Sequence, residues 1–158
     1  MGFEESYGYL AGTHARDKDA VVGSMLICEM AAYYKTQGKT LLDVMAEIYA
    51  EFGYYNNTVK SYEFDGEAGM KKMQAIMDDL RKNPPESLAG AQIVYTADYE
   101  TSVETDLKTG TENKIELPKS NVLAYKAENG SGLIVRPSGT EPKIKAYITA
   151  IGADKKSA

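Results

Sequence analysis

The stretch that decides the fold is GLIVRPSGTEPKIKAY, residues 132–147. It begins with branched apolar residues, passes through a segment rich in turn-forming residues, and ends in alternating basic and apolar residues. Branched runs and period-two alternation are typical of strands, whereas Pro, Ser and Gly are typical of turns. The stretch therefore predicts two sheet strands joined by a turn, with a buried face and a wet, basic face. The buried positions are Ile144, Ala146 and Ile148, and the wet positions are Lys143, Lys145 and Tyr147.

Short strands of this kind are predicted along the whole second half of the chain. Asn129-Gly130 is a strong hairpin signal and the Thr-Gly-Thr run at 109–111 a weaker one. An earlier aromatic and β-branched run adds one more strand, which ends at Asp65-Gly66. The predicted strands are 54–64, 93–99, 101–107, 122–127, 133–135 and 144–148.

Helical periodicity and capping residues predict three helices, over 18–37, 41–52 and 68–82. Asp17 is the predicted N-cap of the first helix, and Gly38 is its left-handed C-terminal residue. The first helix has apolar residues on almost every side, so we expect other structure to cover it. The second is amphipathic and begins with a capping box formed by Thr40 and Asp43.

These elements predict an α+β fold, a small antiparallel sheet with helices on one face. We expect three regions along the chain. A helical remnant occupies 1–38, a linking helix 39–53, and a compact α+β unit 54–158.

Composition excludes several classes of protein. With 18 basic and 23 acidic residues, the formal charge of −5 argues against general binding of nucleic acid or of an anionic membrane. The single cysteine, Cys28, excludes an internal disulfide and is predicted to be a small buried apolar residue. No apolar run approaches the roughly 20 residues that span a bilayer. We therefore expect a cytoplasmic protein that does not bind membranes.

The turn within residues 132–147 is composed like an anion cradle. Arg136 offers a planar fork of donors, and Ser138 and Thr140 add hydroxyl groups. Gly139 would let consecutive N–H groups converge on one anion, and Lys143 could reach the same point. The alternative is an exposed hairpin turn without a ligand, because these residue types are common in turns. The residues alone leave both interpretations open.

A second candidate site lies near the start of the chain, in GFEESYGYLAGTHARDKDAV, residues 2–21. Glu4 and Ser6 could project the same way from an extended segment and bind neighbouring hydroxyls of a sugar. His14 and Lys18 could supply positive or titrating groups beside them. The alternative is a surface loop whose histidine has no function.

Hydrolase and metal chemistry find little support in these residues. A nucleophile elbow requires Gly-x-Ser-x-Gly, but Glu4 stands two residues before Ser6. One histidine and one cysteine are too few for the usual ligand clusters, which predicts no metal site and no cofactor bound within this chain.

Together, FEESYG (3–8) and RPSGTEP (136–142) resemble the sugar-binding and phosphate-binding loops of the α-D-phosphohexomutases, the phosphoglucomutase and phosphomannomutase family. Phe3 departs from the glycine that many relatives carry. The resemblance implies the end of the family's third domain followed by its C-terminal, TATA-binding-protein-like domain. It implies sugar binding by Glu4, Ser6, His14 and Lys18, and phosphate binding by Arg136, Ser138, Gly139 and Thr140.

The resemblance also implies an activity that this chain would share with missing N-terminal domains. The family interconverts glucose 1-phosphate and glucose 6-phosphate through an enzyme phosphoserine and a bisphosphate intermediate. The serine loop and the Mg²⁺ loop are absent from this sequence, so the fragment alone is expected to be inactive and Mg²⁺ to bind outside it. The implied partners are a hexose phosphate and the missing domains. Two alternatives remain, namely a phosphomannomutase and a stand-alone sugar-phosphate-binding module without catalysis.

Overall fold

The structure, a computed structural model, describes residues 1–4, 7–139 and 141–154. These residues divide into two compact units, Met1–Phe52 and Gly53–Ala158. The first unit contains β1 (Gly2–Glu4), β2 (Gly8–Leu10), α1 (Ala20–Thr36) and α2 (Leu41–Phe52). The second contains β3 (Tyr54–Glu63), α3 (Gly66–Lys82), β4 (Ser87–Leu88), β5 (Ala91–Asp98), β6 (Val103–Asp106), β7 (Thr111–Lys114), β8 (Leu123–Ala127), β9 (Gly132–Pro137) and β10 (Lys143–Gly152).

The first unit begins with a short antiparallel hairpin, in which β1 pairs with β2. Sequence periodicity could not reveal these strands because each has only three residues. The hairpin is joined to α1 by a backbone hydrogen bond of 2.8 Å from Asp19 N–H to the carbonyl of Tyr9. The ring of Tyr9 also lies over Gly23, where an added Cβ would come within 3.0 Å of it. Gly23 is therefore the point of close contact between hairpin and helix.

The predicted N-cap of the first helix is wrong by two residues. Asp19, and not Asp17, caps α1 by accepting hydrogen bonds from the N–H groups of Val21 and Val22. Asp17 accepts instead from the N–H of Lys18, at 2.7 Å. Both residues are aspartates, so the sequence alone could not decide which carboxylate reaches the free N–H groups. Gly38 adopts the predicted left-handed conformation at the end of the helix, with φ of +72°.

Large apolar side chains on α1 remain exposed. Val21 is 79% exposed, Met25 59% and Tyr33 60%, which agrees with a helix whose apolar residues occupy several sides. Cys28 is exposed as well, contrary to the prediction that it is buried, because the described residues do not cover its side of the helix. Among the helices described, none combines the length and apolar character needed to cross a bilayer.

Helix α2 begins with the predicted capping box. The carboxylate of Asp43 accepts a hydrogen bond of 2.7 Å from the N–H of Thr40, whose hydroxyl accepts one of 3.2 Å from the N–H of Asp43. The helix ends at Phe52, and Gly53 follows with φ of +88°. The reciprocal cap fixes the start of the helix, and the left-handed glycine ends it.

The second unit is built on an antiparallel sheet with the order β3-β10-β9-β8-β5-β6-β7, and β4 pairs with β5. The longest pairing joins β3 to β10 over ten residue pairs, from Lys143 opposite Glu63 to Gly152 opposite Tyr54. The first and last strands of the unit are therefore neighbours. The predicted Asn129-Gly130 hairpin connects β8 to β9, with Gly130 at φ of +86°.

Helix α3 covers one face of this sheet and forms the core with it. Met77 is fully buried and Met73 is 6% exposed, so these two methionines of α3 are core residues, whereas Met70 is 45% exposed. They pack against the buried sheet residues Ile93, Leu123, Tyr125, Val135 and Ile144. At its start the helix passes so close to the preceding turn that a Cβ on Gly69 would lie 2.7 Å from the carbonyl carbon of Phe64.

The predicted α+β class is confirmed, as is the small antiparallel sheet with a helix on its buried face. Strand and helix ends differ from prediction by a few residues, which is ordinary for pattern-based boundaries. Helix α3 begins at Gly66, two residues before the predicted start. The sequence missed β4 and β7 because β4 has two residues and β7 is exposed at every position, which leaves no alternation to detect.

Candidate functional site

Local hydrogen bonds among the described residues hold the turn between β9 and β10. The N–H of Ser138 donates to the carbonyl of Lys143 at 2.8 Å, and the N–H of Lys143 donates to the carbonyl of Glu141 at 2.7 Å. The hydroxyl of Ser138 accepts from the N–H of Glu141 at 3.3 Å. These bonds connect the end of β9 to the start of β10. Thr140 lies outside the described residues.

Three cations and the turn line one open cavity of about 410 Å³. That volume lies within the range of small-molecule sites, roughly 300–1,000 Å³. Arg136 lies directly opposite Lys145 across the β9–β10 pair, and Lys143 lies two positions before Lys145, so all three side chains share one face of the sheet. The lining residues are Arg136, Pro137, Ser138, Gly139, Glu141, Lys143, Lys145 and Tyr147.

Arg136 is the cation of this group that is most available to a ligand. Its side chain is exposed, and among the described residues its guanidinium forms no ion pair and no side-chain hydrogen bond. A guanidinium carries five N–H donors in a fixed fork, which matches two oxygens of a phosphate. The cavity therefore presents an unpaired anion-binding group.

Lys143 already has a partner within the cavity, because its ammonium contacts the carboxylate of Glu141. Its side chain is 25% exposed and that of Glu141 is 59% exposed. The hydrogen bond from Lys143, and then its charge, lower the pKa of Glu141 below the ordinary value. The same hydrogen bond raises the pKa of Lys143. Both groups are therefore ionised at neutral pH.

Gly139 is an open position in the turn. Its φ is not in the left-handed region, and a Cβ added to it would meet no atom within 4 Å. Among the described residues, its N–H has no acceptor. The glycine therefore leaves its backbone donor uncovered.

The second candidate site lies in the first unit, at the β1–β2 hairpin. The ammonium of Lys18 donates to the carboxylate of Glu4 at 2.9 Å, so these two predicted residues are together. Gly8 makes this possible, because a Cβ there would lie 2.3 Å from Cδ of Lys18 and 2.8 Å from Oε1 of Glu4. Ser6 lies outside the described residues.

His14 is bound to the cap of α1 and not to Glu4 or Lys18. Its Nε2 lies 3.0 Å from Oδ2 of Asp19, while Oδ1 of Asp19 accepts from the helix N–H groups. The bond to His14, followed by those from Val21 and Val22, lowers the pKa of Asp19. One carboxylate therefore connects the histidine to the start of the helix.

Four lining residues of the cavity were not predicted as site residues, namely Pro137, Glu141, Lys145 and Tyr147. For Lys145 and Tyr147 the signal was present in the sequence, because the alternation of β10 puts them on the same wet face as Lys143. What the sequence lacked was the register that aligns Lys145 with Arg136.

The described residues do not fit a magnesium ion. They include no group of three or more His, Cys, Asp or Glu side chains that could hold a metal. Three described carboxylates near the candidate sites are instead paired, Glu4 with Lys18, Asp19 with His14 and Glu141 with Lys143. The described part of the chain thus offers no place for the Mg²⁺ that the family resemblance implies for a whole enzyme.

Comparison with known proteins identifies the family of the chain. The family model for the C-terminal domain of phosphoglucomutase/phosphomannomutase matches residues 65–156, more than half of the chain. The model for the α/β/α domain III of the same family matches residues 1–52. The chain therefore belongs to the phosphoglucomutase/phosphomannomutase family, and the family predicted from the sequence is confirmed.

The relatives found are much longer than this chain. A phosphoglucomutase of Staphylococcus haemolyticus is 42% identical over 149 residues, which is 94% of this chain and 27% of the relative. A phosphoglucomutase of Staphylococcus aureus is 43% identical with the same coverage. The chain spans about a quarter of the length of these curated relatives.

Among solved structures, the open form of parafusin from Paramecium, described as a phosphoglucomutase, matches with a TM-score of 0.60. The match covers 98% of this chain and 26% of that one, at 19% identity. At this identity the likeness supports the fold and carries no functional detail.

Proposed function

We propose that this chain supplies the sugar-binding and phosphate-binding parts of a phosphoglucomutase that interconverts glucose 1-phosphate and glucose 6-phosphate. The observation that carries the proposal is the unpaired guanidinium of Arg136 in a cavity that also holds Lys143 and Lys145. A cluster of cations around a short turn is suited to a phosphate monoester. The relatives' name, phosphoglucomutase, supplies the reaction.

In this proposal the phosphate lies in the cavity at the β9–β10 turn. Arg136 binds two phosphate oxygens, the N–H of Gly139 donates to a third, and the hydroxyls of Ser138 and Thr140 complete the shell. Lys143 adds charge from the opposite strand. When the cavity binds the phosphate that does not react, the sugar is held in one orientation. Such positioning dominates the catalysis of phosphoryl transfer.

The β1–β2 hairpin would read the sugar. The carboxylate of Glu4 accepts hydrogen bonds from two neighbouring hydroxyls, and Ser6 exchanges one more. Lys18, which is bonded to Glu4, fixes that carboxylate and adds positive charge beside the ligand. His14 stands at the rim of this hairpin, bonded to Asp19.

We propose that catalysis needs domains outside this chain. The enzyme phosphoserine and the Mg²⁺ loop of the family are not in the sequence, so the 158-residue chain on its own should bind ligand without turnover. The exposed apolar side chains of α1, among them Val21 and Met25, are the surface that such domains would cover. A cytoplasmic location fits a lone exposed thiol that needs a reducing compartment.

Two other functions compete with this one. A phosphomannomutase would use the same phosphate turn, and the relatives' shared name favours glucose over mannose. A stand-alone sugar-phosphate-binding module would need no further domains. A mutase assay of the chain before and after adding the N-terminal part of a relative separates these cases, because a binding module gains no activity.

The decisive experiment is a titration of the chain with glucose 1-phosphate and with inorganic phosphate, followed by the NMR amide signals of residues 136–145. We expect saturable shifts centred on Gly139. Replacing Arg136 with Ala should weaken binding at least tenfold, and Arg136→Lys should restore only part of it because the fork is lost. Lys126→Ala is the matched control, since it removes one cation from a strand outside the cavity lining. Unchanged spectra at millimolar ligand would reject the proposal.

A further inference from the structure

We propose that Glu141 is a specificity-determining residue of the anion cavity, an internal counter-ion of Lys143 that restricts the cavity to a single phosphoryl group. This inference rests on the proposed function of the β9–β10 turn and goes beyond it. It concerns a carboxylate within a site whose other charged lining residues are cations.

The geometry puts the carboxylate where a ligand oxygen would bind. The side chain of Glu141 lines the same cavity as Arg136 and Lys145, and it contacts the ammonium of Lys143 directly. The backbone around it is fixed, since its N–H donates to Ser138 and its carbonyl accepts from Lys143. Glu141 therefore cannot leave the cavity by a movement of the backbone alone without breaking these bonds.

The other charged groups around the pair are known. Arg136 lies on the adjacent strand, Lys145 two positions along β10, and Glu63 directly opposite Lys143 on β3. Arg136 has no partner among the described residues. Glu141 therefore pairs with Lys143 because the two residues are close in the chain, and not because no other cation is near. An incoming anion therefore meets Arg136, which has no ion pair, and Lys143, which is already paired with Glu141.

Two physical effects follow for a phosphate that enters the cavity. Its oxygens compete with the Glu141 carboxylate for the N–H groups of Lys143. They are also repelled by that carboxylate, and the repulsion grows in proportion to the charge of the ligand. At separations of about 5 Å in a water-like dielectric, and with screening by physiological salt, removing one facing charge should tighten a dianion by about threefold to tenfold. A diphosphate, with more charge, should gain a larger factor.

Glu141 therefore weakens every anion, but it weakens highly charged ones most. The cavity keeps enough attraction for one phosphate through Arg136 and Lys145, while a second phosphoryl group next to the first would face the carboxylate. This explains why an acidic residue belongs in a cation cluster. It sets an upper limit on ligand charge and keeps the phosphate releasable.

The test compares Glu141→Gln with the unchanged chain in titrations with inorganic phosphate and with pyrophosphate, at about pH 8, where phosphate is a dianion. Glu116→Gln is the matched control, because Glu116 also pairs with a lysine two residues away, Lys114, but outside the cavity. We expect Glu141→Gln to tighten phosphate about threefold to tenfold and pyrophosphate by more. Glu116→Gln should change neither.

The outcomes separate this inference from the function beneath it. If the unchanged chain binds phosphate and Arg136→Ala abolishes binding, but Glu141→Gln leaves both affinities unchanged or weaker, the inference alone is overturned. If neither the unchanged chain nor Glu141→Gln binds phosphate, the inference and the proposed function are both overturned. Equal tightening of phosphate and pyrophosphate would also contradict it, because the charge limit would then be absent.

A second measurement varies pH. Sulfate stays a dianion in mild acid, so its affinity for the unchanged chain should rise as pH falls through the pKa of Glu141, which is lowered from its ordinary value by the hydrogen bond from Lys143. The rise should be absent from Glu141→Gln. A sulfate affinity that is flat with pH in the unchanged chain would overturn the proposal.

Discussion

Arg136 and Lys145 occupy directly opposite positions on β9 and β10, so a guanidinium and an ammonium lie side by side on the open face of the sheet. Like charges at directly opposed positions destabilise a strand pair. Among the described residues, neither side chain forms a close ion pair, although the charge of Glu141 in the same cavity acts on Lys145. The pairing therefore costs stability in the empty protein and is relieved by an anion placed between the two.

Replacing Lys145 with Gln should produce opposite effects with and without ligand. Without phosphate the variant should be more stable than the unchanged chain by about 0.2–1 kcal/mol, because the like-charge pair is gone. With saturating phosphate the order should reverse, since the ligand then stabilises the unchanged chain more. Thermal unfolding at several phosphate concentrations measures both. Lys126→Gln, whose position faces Gly132 on β9, should show no crossover.

Gly8→Ala tests the Glu4–Lys18 pair. The added methyl would overlap Cδ of Lys18, the end region of a flexible side chain, so the lysine should swing away at little cost to folding. We expect nearly unchanged stability but loss of the ion pair. The loss should be visible in the NMR signal of the Cε methylene group, which is bonded to the Lys18 ammonium. Gly2→Ala is the control, because its Cβ would meet nothing within 4 Å. An intact pair in Gly8→Ala would refute the close approach.

Gly69→Ala should destabilise the second unit strongly. Its Cβ would lie 2.7 Å from the carbonyl carbon of Phe64, and a backbone atom cannot rotate away as a side chain can. We expect a loss of about 1–3 kcal/mol, the usual cost of overpacking. Chemical denaturation measures it. Gly132→Ala, where the nearest atom would be 3.6 Å away, should change stability far less.

The cap of α1 predicts a dependence of helix content on pH. The pKa of Asp19 in the folded chain is lowered by His14 and by the N–H groups of Val21 and Val22. The contribution of the Asp19 carboxylate to stability is therefore fully present above the unfolded pKa of an aspartate. It is lost as pH falls through the lowered pKa of the folded chain. Circular dichroism between about pH 6 and pH 2 should show less acid loss of helix in Asp19→Ser than in the unchanged chain.

The serine variant also separates the two roles of Asp19. Serine caps helices about as well as aspartate, so helix stability at neutral pH should be preserved. Asp19→Ala should lose about 1 kcal/mol of stability in the first unit. Equal loss in both variants would show that the bond to His14, and not the cap, carries the stability.

The sequence predicts the larger elements of this protein well because their signals are local. The alternation of β10, the capping box at Thr40 and the left-handed Gly38 each depend on a few adjacent residues. The short β1 and β2 strands could not be predicted, since three residues are too few to show a period. The choice between Asp17 and Asp19 as the helix cap also needed three-dimensional placement.

For the candidate sites, composition indicated the cations but not their arrangement. That Glu141 holds Lys143, and that Lys145 faces Arg136, depends on register and on rotamers, which no single stretch of sequence encodes. The role predicted for Gly139, to let consecutive N–H groups converge on one anion, stays a prediction.

The ten-residue ladder between β3 and β10 puts Tyr54 beside Gly152. Opposed residues of an antiparallel pair are about 5 Å apart, so the polypeptide enters and leaves the second unit at one corner. A short peptide could close that gap and a new opening could be cut in a surface turn, giving a circular permutant with its sheet intact. The second unit can therefore be grafted through a single point of attachment.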